Sequence, residues 1–330
     1  MYKLDSRELT RDDLSQWDAL VDHSIHGTIF HKTDWLNACA QSLGKKVKIF
    51  GCFQDGLLVG GCSLFISQKW GIIPFAESIC IMTPYGGFVL SSPPTKNVRK
   101  QETFSRQIIE TLKKDIKKEH FFTTAITNAP EFLDIRPFTM NGWRSNVLYT
   151  YYMYLDNNIE SHIDPSVKKN IRKAEKNGII IEPFSNISRY YALYCETLNR
   201  KNVKSNATKG LFTELFSLMR NHNCGEMVVA KTSDDEIACA EIYVWDNQKA
   251  YSLSAVSDVR FLYSGATSLL RVNMMKRMQD RGIPKIDMTM GLIPQLSKFA
   301  SRFNPTIVPY YQIQSWISDD IRGMKNLPRL

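Results

Sequence analysis

The chain has 330 residues, of which 43% are apolar and 23% are charged. This composition excludes intrinsic disorder as the main state and excludes collagen-like and coiled-coil proteins, while the length predicts about two domains. Forty-two basic residues against 33 acidic ones give a net charge of +9. That charge is compatible with an anionic partner such as phosphate, nucleic acid or a membrane surface.

The seven cysteines are odd in number and no pair has CxxC spacing, which predicts buried thiols in a reducing cytosol. The six histidines form no HxxxH or HExxH pattern, so no metal site is predicted. The N-terminus lacks the apolar core of a signal peptide, and the apolar stretches are too short to span a bilayer. We therefore expect a cytoplasmic protein with no transmembrane segment, and peripheral association with the inner membrane face stays open.

Capping residues, apolar periodicity and turn residues predict the elements of the first half. Thr10 and Asp13 form a capping-box pattern before an amphipathic stretch, and Asp55-Gly56 between two apolar runs predicts a hairpin. A turn is expected at Pro84-Tyr85-Gly86-Gly87. The predicted helices cover 14–21, 34–43 and 102–118, and the predicted strands cover 47–53, 57–66, 78–83, 121–127 and 149–154.

The second half repeats this order of elements. Predicted helices cover 165–177, 186–199, 208–221 and 266–281, and predicted strands cover 227–232, 236–245, 249–256 and 284–290. A shift of about 179 residues superimposes the two hairpins, and each half continues with a strand, a glycine-containing turn, a helix and a strand. The repeat predicts an α/β protein of two similar domains, 1–155 and 156–330, each a mixed twisted sheet flanked by helices, with a cleft between them.

A turn of small residues, Ser264-Gly265-Ala266, precedes the helix over 266–281. Backbone N–H groups at a helix start are unsatisfied and attract anions, so this turn could hold a phosphate or pyrophosphate. The alternative is that small residues merely let the helix approach the strand closely.

The predicted helix over 165–177 is strongly basic. Lys169, Arg172 and Lys176 stand at positions i, i+3 and i+7, and therefore share one face. This face could clamp a diphosphate, an RNA backbone or an anionic lipid headgroup. The alternative is an ordinary solvated helix. Arg172 is the first choice for a phosphate ligand because its planar guanidinium suits bidentate binding.

Five segments resemble motifs of the Fem-type family of tandem GNAT acyltransferases, and the resemblance covers about residues 28–313. The stretch Lys169-Asn170-Ile171-Arg172-Lys173-Ala174 with the following Glu175-Lys176-Asn177-Gly178 is the most specific of these. The other segments are Phe30-His31-Lys32-Thr33-Asp34-Trp35, Thr83-Pro84-Tyr85-Gly86-Gly87, Gly265-Ala266-Thr267-Ser268-Leu269-Leu270 and Gly282-Ile283-Pro284-Lys285-Ile286-Asp287.

The resemblance implies tandem GNAT-like domains that transfer an acyl group to an amine of a cell-envelope or polysaccharide precursor. The donor would be aminoacyl-tRNA or acyl-CoA, with no tightly bound cofactor. The implied partners are a phosphate-bearing small molecule or lipid-linked precursor and tRNA, but not DNA. The oligomeric state is not indicated by the sequence.

Two departures from family patterns bear on the reaction. In Arg260-Phe261-Leu262-Tyr263-Ser264-Gly265-Ala266, Tyr263 replaces the first glycine of the pyrophosphate loop found in CoA-dependent GNAT enzymes, which argues against acetyl-CoA. Ala300 replaces the lysine of a late Fem-type motif, so Lys298 or Arg302 would have to supply that charge. These departures support an alternative function, a catalytically degenerate GNAT-fold protein that binds a phosphorylated ligand. The +9 charge supports a third, plain RNA binding.

The residue types and the resemblance together nominate a set of site residues. The alternatives are packing roles for His31, Tyr85 and Tyr263 and a buried structural role for Asp287. The catalytic candidates are His31, Tyr263, Asp287, Lys298 and Arg302; the substrate-binding candidates are Lys32, Trp35, Tyr85, Lys169, Arg172 and Lys176; the donor-binding candidates are Ser264, Gly265 and Ala266.

Overall fold

The structure is a computed structural model that describes residues 3–69, 72–155, 159, 163–291 and 294–316. The chain divides into two compact units. Unit 1 contains the residues up to 148 together with those from 309 onward, and unit 2 contains residues 149–308.

The described elements alternate between helices and strands along the whole chain. The helices are α1 Leu14–His23, α2 Thr33–Ser42, α3 Val98–Lys118, α4 Arg136–Thr139, α5 Pro165–Lys176, α6 Ile187–Arg200, α7 Lys209–His222, α8 Ala266–Asp280 and α9 Pro294–Ala300. The strands are β1 Leu4–Glu8, β2 Lys46–Gln54, β3 Leu57–Lys69, β4 Ile73–Glu77, β5 Gly87–Leu90, β6 Thr123–Thr127, β7 Arg144–Tyr154, β8 Ile180–Pro183, β9 Gly225–Lys231, β10 Ile237–Trp245, β11 Ala250–Ser257, β12 Lys285–Asp287 and β13 Thr306–Trp316.

Most of the sequence-predicted elements are present within a few residues of their expected bounds. The capping box of Thr10 and Asp13 is present, and it opens a short 3-10 helix that runs into α1. The predicted strand over 78–83 is wrong, because this segment holds only an isolated bridge between Cys80 and Thr83. The strand that follows β3 lies earlier, at β4, and the sequence analysis missed β1, β5, β8 and β13.

The sheet of unit 1 has the strand order β1-β2-β3-β4-β6-β13, and β5 also pairs with β3. Neighbouring strands are antiparallel except β4 and β6, which are parallel. The crossover between those two strands contains α3, whose apolar face packs on the sheet through Phe104, Ile108 and Leu112. This arrangement is the expected one, since parallel strands need a long connection.

The sheet of unit 2 repeats that pattern, with the order β8-β9-β10-β11-β12-β7. Its neighbours are antiparallel except β11 and β12, and the crossover between those two contains α8. The core of this unit includes Val167 and Ala174 of α5 together with Leu270 and Met274 of α8.

Because the two sheets share one order of strand directions, the internal duplication predicted from the element order is also present in the strand pairing. The units do not divide where the sequence analysis placed the boundary. Residues 312–316 of β13 pair with β6 in unit 1, and residues 152–154 of β7 pair with β12 in unit 2. Each half of the chain therefore ends in a strand that completes the sheet of the other unit.

Among the described residues, no helix combines the length and the apolar character that crossing a bilayer requires. The seven cysteines form no disulfide, and five of them are buried. No group of three or more histidine, cysteine or acidic side chains in the described ranges could hold a metal ion.

A half-buried histidine predicts a pH dependence of the stability of unit 1. The ring of His26 packs edge-on against Phe132 at 5.1 Å, and burial lowers the pKa of His26 from 6.5 to about 4. Between pH 6.5 and pH 4, the unfolded chain therefore binds a proton at His26 that the folded chain does not bind. We expect the free energy of unfolding to fall by up to about 3 kcal/mol as the pH is lowered from 7 through 6.5 towards 4.

Urea unfolding at a series of pH values would measure this effect. His26→Gln should remove much of the slope between pH 6.5 and 4 whatever it does to the stability at pH 7. A variant with the full slope of the parent chain would show that another group is responsible.

Candidate functional site

Helix α5 presents the basic face that the sequence predicted. Asp164 caps its start by accepting a 2.7 Å hydrogen bond from the Ser166 amide, and Pro165 occupies the first turn. Val167 and Ala174 are buried in the core of unit 2. Lys169, Arg172 and Lys176 are exposed, and none forms an ion pair with another described residue.

The turn at 264–266 packs directly against the middle of α5. Gly265 has a φ of +89°, and a Cβ atom there would lie 2.1 Å from the Asn170 carbonyl oxygen. The Asn170 side-chain amide lies 3.5 Å from Ser268 Oγ on the first turn of α8. Lys173 Nζ donates a 2.6 Å hydrogen bond to the Tyr263 carbonyl. The structure therefore brings together two segments that the sequence analysis treated as separate binding elements.

The turn places the N-terminus of α8 at the edge of the basic face. Gly265 is the N-cap and has no side chain to cap the helix. Ser264 Oγ lies 3.2 Å from the Ala266 amide and donates to the Phe261 carbonyl at 2.7 Å. The positive end of the α8 dipole thus adds to the charges of α5, and both favour an anion.

The loop before the turn has an unusual distribution of charge and exposure. Arg260, which matches the first position of the pyrophosphate-loop pattern, is held by Asp258 at 2.8 Å and Glu236 at 2.5 Å. Tyr263, at the position of the first glycine, is 86% exposed. Arg260 therefore stabilises the loop. The Tyr263 ring projects into solvent, so packing within the turn does not explain the tyrosine at this position.

The late motif also lies beside α5. The Arg302 carbonyl accepts a 2.8 Å hydrogen bond from the Asp164 amide, which places the exposed Arg302 at the start of the helix. Hydrogen bonds from Ser166 and the nearby Arg302 charge lower the pKa of Asp164. Ala300 is fully buried, whereas Lys298 is exposed. A lysine at position 300 would therefore carry its charge into the core from this backbone position.

Asp287 lies at the end of β12 and is fully buried. It accepts hydrogen bonds from Thr150 Oγ1 at 2.6 Å and from the Thr289 amide at 2.9 Å. These contacts join β7, β12 and the following segment, and they favour the structural alternative that the sequence left open for this carboxylate.

The remaining site candidates belong to unit 1, where they form an aromatic cluster. Trp35 is fully buried and its indole N–H donates to Thr83 Oγ1 at 3.2 Å. Phe30 packs between the rings of Trp35 and Tyr85, and Tyr85 meets Tyr310 edge-on at 5.2 Å. The two Fem-like motifs of this unit are thus packed together, which favours the packing role for Tyr85.

His31 and Lys32 precede α2 at the edge of this cluster. His31 is fully buried, with Nδ1 2.9 Å from Thr28 Oγ1 and its carbonyl accepting from the Trp17 indole at 2.8 Å. Lys32 Nζ contacts Asp22 at 2.6 Å and the Asp18 carbonyl at 3.0 Å. These contacts favour a packing role for His31 and show Lys32 engaged within its own unit.

A buried ion pair beneath α8 was missed by the sequence analysis. Arg271 of α8 contacts Glu241 of β10, and both side chains are at most 2% exposed. Ser252 Oγ and the Tyr243 hydroxyl also donate to Glu241, at 2.9 and 3.0 Å. Burial raises the pKa of Glu241, and the Arg271 charge and the two hydrogen bonds oppose that rise. In the sequence, the buried pair could have been inferred from Glu241, the single acidic residue inside the apolar run Ile237–Trp245.

A known family model matches the part of the chain that contains the candidate site. Residues 165–293 match a family model described as an acetyltransferase (GNAT) domain. The match includes α5, the turn at 264–266 and the buried ion pair, and it supports an acyltransferase in general terms. No curated protein matches the chain.

Solved structures resemble the chain over nearly its whole length. A crystal structure of FemX has 11% identity and a TM-score of 0.72, covering 98% of this chain and 100% of that one. A tandem GNAT protein from the clavulanic acid biosynthesis pathway has 11% identity and a TM-score of 0.56, covering 96% and 99%. The C-terminal domain (DUF2156) of a putative lysylphosphatidylglycerol synthetase from Agrobacterium fabrum has 12% identity and a TM-score of 0.56, covering 95% of each chain.

At these identities the likeness is one of fold. It confirms the predicted tandem GNAT-type α/β architecture and, at the level of the fold, the resemblance to Fem-type proteins.

The close approach at Gly265 predicts a steric cost that a matched glycine lacks. Gly282 also has a positive φ, +75°, but a Cβ there would meet no atom within 4 Å. Both Gly265→Ala and Gly282→Ala should lose about 1–2 kcal/mol from backbone strain. Only Gly265→Ala must also push Asn170 away, so we expect it to lose clearly more stability in urea unfolding. Equal losses would show that the contact with α5 is not tight.

The buried pair predicts strong coupling between Glu241 and Arg271. Glu241→Leu or Arg271→Met alone leaves one charge buried without its partner and should cost about 3–5 kcal/mol. The double variant removes both charges, so it should recover much of that loss. Urea unfolding of the four chains in a double-mutant cycle would measure the coupling, and additive losses would contradict it.

Proposed function

We propose that the chain is an N-acyltransferase that transfers an aminoacyl or acetyl group to an amine of a phosphate-bearing precursor. The observation that carries this proposal is the packing of the α5 basic face against the start of α8. Exposed cations that form no ion pair with a described residue lie there beside a helix N-terminus whose N-cap, Gly265, has no side chain. Their fields add, and an anion is the ligand that both favour.

We assign the two parts of this surface to two phosphate-bearing ligands. Arg172, with Lys169 and Lys176 beside it, would bind the phosphate of the acceptor. The turn Ser264–Ala266 would receive the acyl donor, either acyl-CoA or aminoacyl-tRNA. The hydrogen bond from Lys173 to the Tyr263 carbonyl fixes the border between the two. Both ligands would therefore meet within one helix diameter, about 10 Å.

The transfer requires a neutral amine held against the donor carbonyl. The nitrogen attacks, an N–C bond forms, and the C–S bond of a thioester or the C–O bond of an aminoacyl ester breaks. The proton lost by the nitrogen goes to the departing thiolate or ribose oxygen. Positioning of the two ligands and stabilisation of the oxyanion supply the rate. Tyr263 and Arg302 stay our catalytic candidates, because both are exposed next to α5.

A precursor of the cell envelope or of a polysaccharide is the acceptor class that we propose. Such precursors carry phosphate or diphosphate groups, which suits α5. One relative in fold is named for lysylphosphatidylglycerol, in which an aminoacyl group is joined to a phospholipid. That name supports an aminoacyl donor and a phosphate-bearing acceptor for this chain.

A second candidate function is binding without catalysis. It is favoured by Ala300, which is buried at the position where Fem-type proteins carry a lysine, and by Tyr263 in place of a glycine. Incubation of the chain with acetyl-CoA or charged tRNA and amine-bearing nucleotide-sugar peptides, followed by mass spectrometry, separates the two. A product carrying the acyl group establishes the enzyme; ligand-induced stabilisation with no product from any donor establishes the binding protein.

Removal of Arg172 should weaken binding of the phosphate-bearing acceptor. Loss of one charge-assisted hydrogen bond costs about 1.5–3 kcal/mol, so Arg172→Ala should raise Kd roughly tenfold to a hundredfold. Arg220→Ala is a matched control, because Arg220 is an exposed arginine of α7 whose side chain forms no ion pair with a described residue. Isothermal titration with the nucleotide-sugar precursor would measure both variants. If Arg172→Ala and Arg220→Ala bind the precursor with equal affinity, α5 is not the acceptor site.

A further inference from the structure

An apolar tip projects from the loop beside α5. Val259 is 59% exposed, Leu262 44% and Tyr263 86%, so three large apolar side chains lie in solvent within five positions. The Leu262 amide lies 3.5 Å from the Val259 carbonyl in a 3-10 turn, a geometry that stacks positions i and i+3 on one edge. Exposed apolar residues scattered singly need no explanation, whereas a cluster marks a contact surface.

The backbone that carries this tip is held firmly. The Ser264 amide donates to the Phe261 carbonyl at 3.0 Å, and Lys173 holds the Tyr263 carbonyl. Arg260 joins the loop to Asp258 and Glu236. These bonds fix the loop in a position where its apolar side chains stay outside the core of unit 2.

The neighbouring charge is strongly positive. Helix α5 carries five basic side chains against the single carboxylate of Glu175. Lys169, Arg172 and Lys176 are exposed and form no ion pair within the described part of the chain. The charge of Arg260, by contrast, is already neutralised by two carboxylates. The available cations thus lie on α5, immediately beside the apolar tip.

We propose that α5 and the tip formed by Val259, Leu262 and Tyr263 together dock on a membrane surface rich in anionic phospholipid. The anionic headgroups attract cations near the surface, and apolar side chains gain further by entering the acyl boundary. Tyrosine suits the interface because its ring is apolar and its hydroxyl is polar. RNA would satisfy the cations but would leave the aliphatic side chains of Val259 and Leu262 in water.

This inference rests on the proposed function for the phosphate-binding role of α5, and it adds a bilayer as the source from which headgroup phosphates meet that helix. Binding to vesicles requires no acyl transfer. The two proposals can therefore fail separately. Product formation by a chain that does not bind vesicles contradicts only the docking, and vesicle binding without product contradicts only the transferase.

The test is flotation of the full chain with vesicles of phosphatidylcholine alone or mixed with phosphatidylglycerol. We expect binding to the mixed vesicles that weakens with salt, and little binding to phosphatidylcholine. Leu262→Asp should lower the partition constant roughly tenfold, since burial of a leucine contributes about 1.5 kcal/mol. Leu57→Asp is the control, because Leu57 is 70% exposed at a hairpin of unit 1.

Val259→Asp provides a second variant of the same tip, and thermal unfolding shows whether each variant is folded. Absence of binding to the mixed vesicles at low salt would overturn the proposal. Equal binding by Leu262→Asp, Val259→Asp and the parent chain would also overturn it. Binding that RNA displaces fully and that both tip variants retain would identify α5 as a nucleic-acid surface.

Discussion

The contact between Gly265 and the Asn170 carbonyl is the constraint on which the candidate site depends. It brings the positive end of α8 against a helix that carries five basic side chains. The helix terminus and these side chains both favour an anion beside them. The burial of Val167 and Ala174 holds α5 in this position.

The position of α8 is set from beneath by the Glu241–Arg271 pair. Charges in a protein core cost desolvation, and a buried pair adds little net stability over apolar residues. Here the pair fixes the position of α8 along β10, because Arg271 can contact Glu241 only when the helix lies at that position. Since the turn at 264–266 begins this same helix, the buried pair and the glycine contact together fix the position of α8.

The fold was largely predictable from the sequence because its signals are local. Asp55-Gly56 marks a hairpin, Thr208 caps α7, and apolar periodicity marks α3. The strand predicted over 78–83 was wrong although its apolar composition suits a strand, because the segment forms only the Cys80–Thr83 bridge and Thr83 accepts a hydrogen bond from the Trp35 indole. For the site, the pattern of Lys169, Arg172 and Lys176 was readable. Their proximity to Gly265 was not, because it depends on the packing of two helices almost a hundred residues apart.

The exchange of final strands between the two halves has a consequence for synthesis on the ribosome. Strand β6 pairs with β4 on one side and with the end of β13 on the other. A nascent chain therefore carries an unpaired β6 edge until residues 312–316 have been translated. Such an edge offers backbone groups to any extended segment nearby. Unit 1 therefore cannot complete its sheet until residues 312–316, which follow unit 2 along the chain, have left the ribosome.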